Sequence, residues 1–326
     1  MALQFRLAGA LAALCLGACQ TAPATAEEAA TSPLVRPDIA YGSAIIHATT
    51  APEARTLTMD AYLPAGDGPH AAIILAHGGA FHRGSKGEET FYEDGASDSS
   101  MAAWCRAFAK TGYACFSIDY RLTPENPALG RDHDAARLFP DAMLDAPGAT
   151  ARIDFARTQM GLAPLDAETK PQYRDAILAA AEDMTMAVEH VRSHALEYDV
   201  DPARIALGGF SSGAITAINS AYGLDAPVQA VFALSGAVAG YNPGAGLPAD
   251  PPPLLMFTGQ NDLPDILLGS QYLRSVLSDA GAPPEVAWVP GFGHFYPMEA
   301  PSLGADLTIE SVEARTLDFL ERELTH

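Results

Sequence analysis

Arg204-Ile205-Ala206-Leu207-Gly208-Gly209-Phe210-Ser211-Ser212-Gly213-Ala214-Ile215-Thr216-Ala217-Ile218 is the stretch that decides the fold. Its first five residues have the apolar run of a buried strand, and Ala214 to Ile218 read as a helix. Gly209-Phe210-Ser211-Ser212-Gly213 between them is the chain's single match to G-x-S-x-G. Glycine and serine are common, so the bare pattern carries little weight; the strand before it and the helix after it carry more. Glycines at both ends permit a sharp turn that holds the Ser211 hydroxyl exposed on a strained backbone. The following helix would point its positive end at that hydroxyl. The alternative is an ordinary Gly-Ser turn feeding a helix.

Working outward, similar apolar runs recur. Strands are predicted at Ala40–His47, Thr56–Leu63, Ala71–Ala76, Ala114–Tyr120, Gln229–Leu234, Pro253–Phe257 and Glu285–Val289. Helical patterns fall at Ser100–Lys110, Asp175–Leu196, Ser212–Tyr222, Leu267–Ala280 and Thr308–Glu323. The clearest carries Ile177, Ala181, Met184, Val188 and Val191 on one stripe. Strands alternating with helices imply an α/β fold with a mostly parallel sheet covered on both faces. Residues 126–169 break the alternation with a mixture of Pro, Gly, Asp and Arg. A loop this long inside a domain is functional or disordered, and we read it as an inserted cap over a site, a decorative loop being the alternative.

The amino terminus is of another kind. Leu7 to Ala18 is an apolar run too short to span a membrane, and it matches the core of a secretory signal. Leu16-Gly17-Ala18-Cys19 closes it and resembles a bacterial lipobox, with Cys19 as the lipidated residue; cleavage after Ala24-Thr25-Ala26 is the alternative. The predicted organisation is a signal over residues 1–18, a tether over 19–37 and one α/β domain over 38–326 that carries the 126–169 insertion. The chain is expected to be exported, as an outer-membrane lipoprotein or a periplasmic or secreted protein. Export permits disulfides. With Cys15 and Cys19 removed from consideration, Cys105 and Cys115 remain, and they either pair or stay as two buried thiols. A net charge of −21 argues against binding phosphate backbones or anionic lipid, so no nucleic-acid partner is expected, and any membrane attachment would run through Cys19 alone.

An activated serine needs a base, and the base an orienting acid. Thr258-Gly259-Gln260-Asn261-Asp262 and Gly291-Phe292-Gly293-His294-Phe295 each follow a predicted strand, at the carboxyl ends where open α/β sheets bind ligands. Asp262 and His294 are the candidates, in the order Ser, Asp, His. Asp265 is the rival acid, though after Pro264 it reads as a cap for a helix beginning near Ile266. His77-Gly78-Gly79-Ala80-Phe81 follows the Ala71–Ala76 strand, and such a turn frees backbone N–H groups for an oxyanion, completed by the N–H of Ser212. Two further motifs read as bland. His190 and His194 lie four apart on a helix without the Glu of a zinc motif, so no metal is expected. His82-Arg83 reads as a surface or lid-facing pair, with recognition of a substrate carboxylate as the alternative.

Together these motifs, with Asp119 to Glu125 and Asp201 to Ala214, resemble the α/β-hydrolase superfamily over about residues 40–323. Within it the chain is similar to the HGG-type carboxylesterases, near the hormone-sensitive-lipase-like and the feruloyl- and acetylxylan-esterase-like groups. The resemblance implies oxyanion donors at Gly79 and Ala80, and structural roles for Asp119, Tyr120 and Arg121. It also implies a serine carboxylic-ester hydrolase, without cofactor, acting on short-chain or acetyl or aryl carbohydrate esters. A lipase, a dipeptidyl-peptidase-like hydrolase and a non-catalytic hydrolase-fold binding module are the alternatives. The chain departs from the family at Ala80, Phe210, Ser212 and the length of 126–169.

Overall fold

In β3 (His70–Ala76) alternate side chains point to opposite faces, and both faces are buried. Ala72, Ile74 and Ala76 enter one apolar layer, and Ala71, Ile73 and Leu75 the other. A strand buried on both sides needs cover on both sides, and this requirement organises the computed structural model, which describes residues 32–325 except Pro147 and Ala149. The predicted signal and Cys19 lie outside the described residues.

The ten-stranded sheet runs β1 (Leu34–Ile46), β2 (Glu53–Leu63), β6 (Ala114–Ile118), β3, β7 (Val200–Phe210), β8 (Ala230–Leu234), β9 (Leu254–Gly259), β10 (Glu285–Val289), β11 (Pro301–Gly304), β12 (Ile309–Ser311). The centre from β6 to β10 is parallel, and both margins are antiparallel. A two-stranded ribbon, β4 (Tyr92–Glu93) with β5 (Ala96–Ser97), stands apart. On one face lie α3 (Thr169–Ser193) and α5 (Ser212–Ile218), on the other α1 (Met101–Lys110) and α7 (Val312–Leu324). The remaining α-helices are α2 (Ala151–Gln159), α4 (Ala195–Tyr198) and α6 (Pro264–Asp279). This is the predicted α/β-hydrolase fold, a mostly parallel sheet with helices on both faces.

Several boundaries differ from expectation. β1 begins at Leu34, inside the predicted tether, so the sheet claims residues 34–37 and the folded domain starts before residue 38. Pro37 sits where the pairing with β2 slips between Arg36 and Ile39, on an edge strand, where a missing N–H is tolerated. α3 starts at Thr169 rather than Asp175, because Asp166 accepts hydrogen bonds from the N–H groups of Glu168 and Thr169 and caps the entry. The predicted last helix begins only at Val312, where the Ser311 hydroxyl accepts from the Ala314 N–H; Ile309–Ser311 instead pairs with β11. α6 begins at Pro264, so Asp265 lies in its first turn instead of capping it.

Cys105 on α1 and Cys115 on β6 form a disulfide with their Cα atoms 5.1 Å apart. The bridge closes a loop with a sequence separation of 10, for which chain entropy predicts about 3 kcal/mol of stabilisation. Urea unfolding of Cys105→Ser/Cys115→Ser should therefore show a loss of about that size with no change of fold, and an unchanged midpoint would remove the bridge from the account of stability.

Candidate active site

Ser211 stands on the turn between β7 and α5 with φ 54° and ψ −116°, a conformation side chains rarely adopt. The cause is close packing. A Cβ on Gly213 would lie 2.0 Å from the Ala76 carbonyl oxygen, and one on Gly209 would lie 2.6 Å from the same atom. Both glycines let the turn press on the end of β3, and the Ser211 N–H is taken by the Leu234 carbonyl at 2.8 Å. The turn is thus held between two neighbouring strand ends.

The other candidates arrive from the next strand ends. Asp262 follows β9 and His294 follows β10. A Cβ on Gly259 would meet the Gly293 carbonyl oxygen at 1.8 Å, so these two loops are packed backbone to backbone. The Ser211 hydroxyl lies 2.9 Å from His294 Nε2, and His294 Nδ1 lies 2.6 Å from Asp262 Oδ1. Asp262 is buried and also accepts from the Leu263 N–H at 2.8 Å, the Gly259 N–H at 3.1 Å and the Ser235 hydroxyl at 2.6 Å. Its oxygens therefore require the proton on Nδ1, which leaves the Nε2 lone pair facing Ser211. Asp265, the rival acid, makes no contact with His294 among the described residues.

Two residues of this arrangement had been missed. Ser235 follows β8 at a positive φ of 47° and gives its proton to Asp262. The Tyr296 hydroxyl stands 3.1 Å from Ser235 Oγ, and burial pushes this phenol well above its ordinary range, keeping it a donor. The signal was present for Ser235, since it occupies a carboxyl strand end like the other three. For Tyr296 only its position two residues after His294 hinted at a role.

The turn after β3 carries further left-handed backbone, with φ 118° at Gly79, 58° at Ala80 and 57° at Phe81. Ala80 thus adopts a conformation that glycine reaches more cheaply. The Gly79 carbonyl accepts from the N–H groups of His82 at 3.0 Å and Arg83 at 3.2 Å, closing the turn. Among the described residues nothing accepts from the N–H groups of Gly79, Ala80 or Ser212, and all three residues line the same cavity as Ser211 and His294. His77 stacks on Tyr120 at 4.3 Å, and the Tyr120 hydroxyl donates to the His77 carbonyl at 2.8 Å beside Ser212 Oγ at 3.2 Å. Burial lowers the His77 pKa, so this imidazole is neutral packing. Arg121 is buried against Asp183 and Glu182 on α3, and Asp119 accepts from the Tyr41 side through its carbonyl, which makes this motif a brace. The unusual Phe210 stacks on Phe295 at 5.6 Å and edges against His294.

The cavity measures about 660 Å³ and is mostly apolar. Leu138, Phe139, Met143, Leu144, Ile153 and Ala156 from the 126–169 segment form part of its wall. Of the two readings for His82, surface or lid-facing, the second holds: the ring is buried, donates from Nδ1 to the Ala80 carbonyl at 2.8 Å and accepts at 3.0 Å from Arg157 of α2, within the 126–169 segment. Burial holds its pKa down at about 4. His190 and His194 stack on each other at 4.1 Å, and no cluster of metal-ligating side chains occurs among the described residues.

A family described as BD-FAE matches residues 59–138, and the phospholipase/carboxylesterase family matches residues 165–243. No curated protein matches the chain. Among solved structures, a truncated carbohydrate esterase from gut microbiota is similar at 18% identity and a TM-score of 0.56, over 91% of this chain and 98% of that one. The esterase 2 of Thermogutta terrifontis with propionate bound is similar at 17% identity and a TM-score of 0.53, over 90% and 94%. The same enzyme phosphoramylated by tabun gives the same values. At these identities the structures establish the shared fold.

Asp98 supports the cavity wall by accepting from the Phe91 N–H at 2.6 Å, and burial raises its pKa to about 7. Between its unfolded value of 3.8 and about 7 the folded state holds a proton that the unfolded state has lost, so stability falls as pH rises through this window. Asp98→Asn should melt higher than wild type at pH 8, with the gap closing towards pH 4; a gap independent of pH would refute the burial account.

Proposed function

We propose that this protein, a member of the α/β-hydrolase carboxylesterases, is an exported serine esterase acting through Ser211, His294 and Asp262. The observation that carries the reading is the unbroken series from Ser211 Oγ through both imidazole nitrogens to a buried, fully hydrogen-bonded carboxylate. In the reaction His294 Nε2 takes the Ser211 proton as Oγ attacks the ester carbonyl. The oxyanion of the tetrahedral intermediate accepts from the N–H groups of Gly79, Ala80 and Ser212. His294 then protonates the leaving alkoxide, and an acyl-enzyme remains. Water, losing its proton to His294, attacks the acyl carbonyl and frees the acid and Ser211. Asp262 holds the imidazole tautomer and stabilises the imidazolium. Ser235 and Tyr296 hold Asp262.

Short-chain or acetyl or aryl esters, carbohydrate esters among them, are the proposed substrates. A cavity of about 660 Å³ with Phe91, Phe139, Tyr173 and Phe295 in its wall suits a small acyl group and a ring. The propionate-bound neighbour and the carbohydrate esterase from gut microbiota support the same range. The 126–169 segment serves as a cap. Export through the predicted signal is supported by the Cys105–Cys115 bridge, since such bonds persist in oxidising compartments, and lipid at Cys19 is proposed from the lipobox-like sequence alone.

Initial rates on 4-nitrophenyl acetate, butyrate, octanoate and palmitate test the reading. Activity should peak at acetate or butyrate, fall at least about 10⁴-fold in Ser211→Ala, and fall about tenfold in kcat in Ser235→Ala with KM little changed. A maximum at octanoate or beyond would indicate a lipase. Folded protein that neither turns over any ester nor takes a fluorophosphonate label would be a binding module. Palmitate incorporation lost in Cys19→Ser would identify the anchor.

A further inference from the structure

Three arginines line the cavity. Arg152 pairs with Glu93 at 2.8 Å, and Arg174 pairs with Asp141 at 2.6 Å and Asp175 at 2.7 Å. Arg83 differs from both. Among the described residues it has no carboxylate partner, and its buried Nε has no hydrogen-bond acceptor. A donor buried without an acceptor is costly, and in a chain of net charge −21 an unpaired cation inside a cavity is unexpected.

The position of Arg83 is fixed from two sides. Its N–H is bonded to the Gly79 carbonyl at 3.2 Å, and its own carbonyl oxygen lies 2.0 Å from where a Cβ on Gly79 would stand, so its main chain is packed on the oxyanion turn. Its guanidinium lies over the Phe91 ring, 4.8 Å from the centroid. Phe91 packs on Phe295 at 6.2 Å, and Phe295 on His294 at 4.9 Å. Stacking on a ring holds a guanidinium through its face and leaves every in-plane N–H free. The cavity's own carboxylates do not take them: Asp141 is neutralised by Arg174, and Asp265 lies in the first turn of α6.

We propose that the substrate carries a carboxylate and that Arg83 binds it through a forked, charge-assisted pair while the ester carbonyl lies at Ser211. The inference rests on the esterase reading and narrows its substrate class to esters bearing a carboxylate. A flat guanidinium fork matches two carboxylate oxygens, which a point charge does not. It also counters locally the repulsion that this acidic chain exerts on an anion.

The test uses matched esters. Mono-4-nitrophenyl adipate against its methyl ester places the charge on the acyl side, and 4-acetoxybenzoate against its methyl ester places it on the alcohol side. In one of the two pairs wild type should favour the anionic member. Arg83→Gln should lower the anionic-to-neutral ratio of kcat/KM about tenfold, with Arg83→Lys in between. The pair that responds identifies the side bearing the carboxylate. No preference in either pair, or an equal fall for both members in Arg83→Gln, would overturn the proposal. Calorimetric binding of adipate and of 4-hydroxybenzoate to Ser211→Ala separates this from failure of the esterase reading. Binding of either anion that is lost in Ser211→Ala/Arg83→Gln supports the subsite whether or not esters are cleaved, and absence of binding by both counts against it.

Discussion

The carbonyl oxygen of Ala76 at the end of β3 touches the turn that carries Ser211, at a distance only glycine at positions 209 and 213 allows. This contact brings the end of β7 against the end of β3, and the turn must reverse within a few residues to start α5. Ser211 absorbs the reversal in its backbone at φ 54°. Such strain persists only where the surroundings over-determine it. Here they do: the Ser211 N–H is bonded to Leu234 on one side, and the β3 turn packs against Phe210 and Ser211 on the other. The Ser211 hydroxyl is therefore held at the end of β7 by the backbone alone.

Every other functional group depends on the same parallel order. β3, β7, β8, β9 and β10 are neighbours in the sheet and end at the same edge, so the loops after them meet. They bring the oxyanion turn, Ser211, Ser235, Asp262 and His294 in that spatial sequence. The contact between Gly259 and Gly293 then sets the short Asp262–His294 distance. Around this row the braces are ionic and buried. Arg121 with Asp183 and Glu182 ties the loop after β6 to α3, and His133 extends the cluster into the 126–169 segment through Glu182 at 3.0 Å. Removing one partner of such a cluster leaves an uncompensated charge, so it holds the cap's base in one place.

The 126–169 segment is fastened a second time at the turn after β3. His82 spans the Ala80 carbonyl and Arg157, joining α2 to the turn that lines the cavity beside Ser211. Arg83, its neighbour in sequence, takes the opposite course, with its charge unpaired inside the cavity. Adjacent polar residues thus differ, one tying the wall to the turn after β3 and the other lining the cavity without a carboxylate partner among the described residues.

The nucleophile turn, the order Ser, Asp, His and the alternation of strands and helices were legible in the sequence because each follows from local rules. Glycine spacing reports backbone freedom, and apolar periodicity reports which faces are buried. Local reading already favoured Asp262 over Asp265, three and six residues past the same strand, because Pro264 marks a helix start; the packing of Gly259 on Gly293 is what brings the Asp262 carboxylate to the imidazole. Ser235 showed only that it ends a strand and Tyr296 only that it follows His294, and each acquires its role only when β8, β9 and β10 lie side by side. The start of β1 at Leu34, the β11–β12 hairpin and the burial of His82 were likewise settled by tertiary partners. Sequence determined which chemical groups this chain can offer and where its backbone can bend. Tertiary structure decided which of them meet, because hydrogen bonds and close contacts depend on distances that neighbouring strands set.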